Sequence, residues 1–194
     1  VTVAAIKIGP ASFADGEAAY QGGKYAEAAA FFEHYTAGRP DNAWGHYMLG
    51  LSAWKSGDLA RAEGAFDKAL SIDPRHIKSY VNVSRVLIDQ QRYDEAVEKL
   101  TRAADIEPSS TEVQRLLGRV YYAQGKAEEA IEAYRRAIEL NELDAWSINN
   151  LGLVYAEGHL ELSANGDIFN TSLGTIASGF GDLTISPRNL SSGA

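Results

Sequence analysis

Apolar residues recur along most of this chain at helical spacing, in stretches of about 14 residues, each closed by a short polar segment. Three of these segments, QGGKY, KSGDL and AQGKA, contain glycine, which readily takes the positive φ at which a helix ends. The pattern predicts helices joined in pairs by tight turns. Pro40, Pro74 and Pro108 follow the second stretch of each pair, where a missing N–H does no harm and the helix is stopped. Charged runs such as YDEAVEKL and AEEAIEAYRRA put the acids on the outer, solvated side of these second helices.

The pattern also repeats. The segment AWGHYMLGLSAWKSGDLARAEGAFDKALSIDPRH from Ala43 returns every 34 residues, with units starting at Gly9, Ala43, Ile77 and Thr111 and a partial one at Ala145. Position 8 of the unit holds Gly16, Gly50, Ser84, Gly118 and Gly152, and position 20 holds Ala28, Ala62, Ala96 and Ala130. Position 24 holds Phe32, Phe66, Leu100 and Tyr134, and position 27 holds Tyr35, Ala69, Ala103 and Ala137. Small residues at 8 and 20 let the paired helices approach, and larger groups at 4, 7, 11 and 24 are expected to fill the space between successive units.

In this register the sequence resembles the tetratricopeptide repeat family over residues 9–157. The resemblance implies an all-α fold, a right-handed superhelix (α-solenoid) of antiparallel helix pairs. An N-terminal extension, 1–8, precedes it and a short non-helical C-terminal tail, 158–194, follows. Ser84, Tyr35 and Glu142 depart from the family pattern and are expected to disturb packing or turns only locally.

The resemblance further implies that the first helix of each pair lines a concave groove through positions 2, 5, 6, 9, 12 and 13. From the second unit this places Tyr47 and Trp54 there, with Trp44, Met48, Leu51 and Lys55; the third adds Lys78, Asn82 and Arg85. The fourth adds Glu112, Arg115, Arg119 and Tyr122, and the partial fifth adds Trp146 and Asn149. Aromatics, a cationic middle and amides beyond it suit an extended peptide with acidic groups, since arginine forks match carboxylates and rings give apolar anchors. A competing reading pairs Arg115 and Arg119 with Asp89 and Glu112 and leaves nothing for a ligand. The carboxylate clamp of some family members is matched only at Asn82, while Tyr47, Leu51, Glu112 and Leu116 stand elsewhere, so a chaperone-tail ligand is not expected.

Composition narrows the function classes. A net charge of -8 argues against a nucleic-acid partner, which needs a surplus of Lys and Arg. There is no cysteine, and no apolar run approaches the roughly 20 residues that span a bilayer. His34, His46, His76 and His159 lack the spacing of a metal pair, and neither a phosphate-cradling loop nor a G-x-S-x-G elbow is present. No cofactor and no catalytic activity are expected, and the partner is a protein or peptide. The compartment stays open, with the cytoplasm favoured over the periplasm or secretion.

After Gly158 short alternating runs such as HLELS and DLTIS, set among glycine and serine, predict strands and turns. LELSANGDIFNTSLG and LTISPRNLSSGA line up at a spacing of about 23 residues, and this resembles the haemagglutinin-type β-helix repeats of secreted bacterial adhesins. Trp146, Ile148, Leu151, Val154 and Tyr155 leave the last helix apolar on more than one side, so Ala145–Glu157 is expected to be covered by the tail or to self-associate. The function read from the sequence is a non-catalytic protein-interaction scaffold. The alternative is a positioning or structural module from a larger enzyme or secreted adhesin, with a junction near Gly158.

Overall fold

The computed structural model describes residues 12–164, with side chains through residue 156. By its contacts the chain divides into two compact units, Val1–Val154 and Tyr155–Ala194. The described elements are α1 (Phe13–Gln21), α2 (Tyr25–Gly38), α3 (Ala43–Lys55), α4 (Leu59–Ile72), α5 (Ile77–Asp89), α6 (Tyr93–Ile106), α7 (Thr111–Ala123), α8 (Ala127–Leu140) and α9 (Ala145–Ala164). Linkers of only three or four residues force consecutive helices to fold back on one another. The paired helices are therefore antiparallel.

Local chemistry sets the helix ends. Ser12 and Asp15 form a reciprocal capping box on α1, and Asn42 and Asp58 accept from the backbone N–H groups of Gly45 and Arg61. Gly23, Gly57 and Gly125 turn the chain within the first, second and fourth pairs at positive φ, as their segments predict. Gln91 holds the same turn in the third pair at φ 61, a conformation that costs a side chain about 1 kcal/mol or more. Where Glu142 replaces proline, α8 still ends at Leu140, because the Asn141 side chain accepts from the Leu143 N–H at 3.1 Å.

The core is built pair by pair. A Cβ on Gly16, Gly50 or Gly118 would lie 2.8, 2.6 or 2.4 Å from the ring of Phe32, Phe66 or Tyr134 in its own unit. The group at position 24 thus fills the hollow over position 8 inside the pair, not the space between units, because only the absent Cβ leaves room for a flat ring. In the third pair, where Ser84 stands at position 8, position 24 holds the smaller Leu100, and both are fully buried. Tyr35, too large for its alanine position, is accommodated by Gly45 of the next unit, whose Cβ would meet the tyrosine ring at 3.1 Å.

Helix pairs then stack on their sequence neighbours, and first helices touch first helices, α3 with α5 and α5 with α7. Ion pairs cross successive units: Arg61 with Glu33, Arg92 with Glu63 at 2.6 Å, Lys99 with Asp67 at 2.7 Å. Every regular element among the described residues is a helix. The strand that HLELS predicts is helix instead, since α9 passes Gly158 and runs on to Ala164. Adding a residue to a formed helix gains a hydrogen bond at small entropic cost, and Leu160, Glu161 and Leu162 are good helix formers. The remaining tail expectations, 165–194, and the extension 1–8 lie outside the described residues.

Candidate functional site

First helices build one groove. Its walls are Tyr20 of α1, Tyr47, Leu51, Trp54 and Lys55 of α3, Lys78, Val81, Asn82 and Arg85 of α5, and Glu112 of α7, around a volume of about 610 Å³. The spacing explains the set, because positions 5, 9, 12 and 13 of α3 and positions 2, 5, 6 and 9 of α5 fall on one face of each helix.

The aromatic side is held by packing and hydrogen bonds. Tyr47 is nearly buried, with its ring centroid 5.0 Å from both Trp44 and His76, and burial pushes its hydroxyl pKa up. Trp54 is held from the next unit, its indole N–H donating to Asp89 Oδ2 at 3.1 Å. Asn82 donates to the Lys78 carbonyl at 2.8 Å and reaches the Tyr47 hydroxyl at 3.5 Å.

The cations divide into two kinds. Arg85 lies 6.0 Å over the Trp54 ring, donates through Nη1 to Asn82 Oδ1 at 3.1 Å and pairs through Nη2 with Glu112 Oε1 at 2.5 Å. Lys55 and Lys78 sit over the Trp54 and Trp44 rings at 5.0 and 5.5 Å and form no salt bridge among the described residues. Their ammonium groups are the ones open to a ligand anion.

Of the residues that the sequence proposes for the groove, Tyr47, Trp54, Lys78, Asn82 and Arg85 line this volume. Arg115, Arg119, Tyr122 and Asn149 stand outside its lining, on α7 and α9. Arg115 pairs with Asp144 at 3.1 Å and lies 5.8 Å over Trp146, while Arg119 is exposed. The predicted pairing of Arg115 and Arg119 with Asp89 and Glu112 does not form, since Trp54 and Arg85 take those acids. Tyr20 was missed, yet it occupies position 12 of the first unit as Trp54 does of the second. Extending the same register one unit back finds it.

Two models of the tetratricopeptide repeat match, at residues 13–77 and 118–157, and that of anaphase-promoting complex, cyclosome, subunit 3 matches at 56–137, overlapping both. The described helices form an all-α tetratricopeptide repeat solenoid. Solved structures agree on the fold. MamA 41-end from Desulfovibrio magneticus RS-1 superposes with a TM-score of 0.70 at 23% identity, over 77% of this chain and 85% of that one. YrrB, described as a TPR protein with an unusual peptide-binding site, gives 0.65 at 19% identity over 70% of each chain. The first TPR of Spaghetti (RPAP3), bound to the HSP90 peptide SRMEEVD, gives 0.58 at 22% identity over 59% of this chain and 91% of that one.

No curated protein is matched by sequence. None of the comparisons supports the β-helix resemblance of the tail, so the repeat assignment stops with the helical array. Among the described residues no group of three or more His, Asp or Glu side chains is placed to hold a metal ion, and no helix is long and apolar enough to cross a membrane.

Proposed function

We infer that the tetratricopeptide array is a non-catalytic protein-interaction scaffold whose groove takes an extended acidic peptide. The observation that carries this reading is the groove of about 610 Å³ in which Lys55 and Lys78 flank aromatic walls without a carboxylate partner among the described residues. Ligand acids pair with the two ammonium groups, and apolar ligand side chains pack on Tyr20, Leu51, Trp54 and Val81. Arg119, Tyr122 and Asn149 extend the same series of first-helix positions for a longer ligand. The Spaghetti array bound to SRMEEVD is support by analogy of fold for an acidic peptide.

The test is fluorescence anisotropy with a labelled Glu/Tyr/Leu peptide and its Gln-for-Glu counterpart. Joint Lys55→Ala and Lys78→Ala substitution is expected to weaken the acidic peptide about tenfold or more, and raising the salt should weaken it further. Equal affinity of wild type and the double variant removes the reading.

A second reading concerns α9, where Trp146, Ile148 and Leu153 are 39%, 40% and 49% exposed. A partner there is a second copy of this chain, joined through the flank of Ala145–Glu157.

A further inference from the structure

We propose that Glu112 is an internal competitor for acidic ligands, holding the Arg85 guanidinium until a ligand carboxylate takes its place. The proposal rests on the acidic-peptide reading above and concerns how the same groove is regulated. Arg85 carries two different partners. Asn82, a neutral one, receives Nη1 at 3.1 Å and is itself fixed by its 2.8 Å bond to the Lys78 carbonyl, so it orients the fork without consuming its charge. Glu112 receives Nη2 at 2.5 Å and satisfies that charge.

Glu112 is built to let go. Its side chain is 44% exposed and it stands in the first turn of α7, where a carboxylate released into water keeps the favourable field of the helix N-terminus. The pair of Arg115 with Asp144 makes the contrast. Asp144 is only 7% exposed and also accepts the Ser147 hydroxyl at 2.5 Å, so it cannot turn away to solvent without a buried group losing its partner. The Arg85 pair joins the third unit to the fourth, whereas the Arg115 pair lies within the fourth unit, and only that of Arg85 lines the groove. Exchange of Glu112 for a ligand acid conserves charge at the guanidinium. A ligand therefore gains from Arg85 only what its own carboxylate geometry adds over Glu112.

The experiment compares the labelled Glu/Tyr/Leu peptide and its Gln-for-Glu counterpart on the full chain, as wild type, Glu112→Gln, Arg85→Gln and the two combined. Circular dichroism checks that each variant keeps its helices, and Glu112→Ala provides a second way to remove the acid. Both Glu112 variants are expected to bind the acidic peptide about three- to tenfold more tightly and the Gln peptide unchanged, and the gain should vanish when Arg85 is replaced. Unchanged or weaker acidic-peptide binding by the Glu112 variants, beside measurable wild-type binding, overturns the competitor and leaves the groove reading intact. The same gain with Arg85 replaced also overturns it, because Glu112 then acts through its charge alone. If neither wild type nor any variant binds the acidic peptide, the groove reading fails and the competitor fails with it.

Discussion

The pairing of position 8 with position 24 is the most local rule in the array. Glycine lies under a ring in three units, and the third unit carries a buried serine at position 8 with a buried leucine at position 24, so the two positions trade volume at a nearly constant sum. Gly118 and Tyr134 are the tightest case, with 2.4 Å between the would-be Cβ and the ring. Gly118→Ser should destabilise by about 1–3 kcal/mol through overpacking. Tyr134→Leu should also destabilise by opening a void. Together they recreate the Ser84–Leu100 pair, and urea melts should show a favourable coupling of about 1 kcal/mol or more. Simple additivity of the two losses would count against the rule.

At the scale of the element, helix α5 is stopped and started by unusual residues. Gln91 takes the turn that glycine takes elsewhere, and His76 caps the helix N-terminus. His76 Nδ1 accepts from the Ser79 backbone N–H at 3.2 Å, with the Ser79 hydroxyl 2.8 Å away, so this nitrogen must be unprotonated. Burial, foremost, holds the His76 pKa below the ordinary 6.5; Lys78 lowers it further and Asp73 opposes the shift. The fold therefore prefers the neutral ring. Its contribution is complete above about pH 6.5 and is lost as the pH falls through the folded-state value. His76→Asn keeps a capping acceptor, as Asn42 shows on α3, and removes the titration. Thermal melts of the variant should lose less stability than wild type between about pH 7 and pH 5, by an amount on the order of a cap, about 1 kcal/mol. Parallel pH profiles would show that the cap does not titrate.

Across the whole molecule, stability in such an array comes from each unit packing on the next, and a terminal unit keeps one side bare. α9 is a first helix, and Trp146, Ile148 and Leu153 stay exposed on it. If a second copy covers it, sedimentation velocity of the full chain should show concentration-dependent dimers, and Trp146→Glu with Leu153→Glu should restore the monomer. A wild type that stays monomeric at every concentration retires this surface as a contact between copies.

Most of the fold was readable because its interactions are short in sequence and repeated. A glycine and its ring lie 16 residues apart in every complete unit where they occur, and the turn glycine keeps its place, so one register places four helix pairs. The same register identifies Tyr47, Trp54, Lys78, Asn82 and Arg85, and extended one unit back it reaches Tyr20. It could not say that α9 continues through HLELS, because Leu and Glu at alternating positions suit either backbone until a preceding helix supplies the nucleus. Nor could it rank the cations. Arg85 and Arg115 look available on the helix face, but Glu112 of the next unit and Asp144 at the end of the same unit, 27 and 29 residues away, take them, while Lys55 and Lys78 are left without such partners among the described residues. Helix register follows from backbone geometry and side-chain size, both written along the chain. Charge pairing follows from where side-chain tips meet in space, and that is settled only when one unit stacks on another.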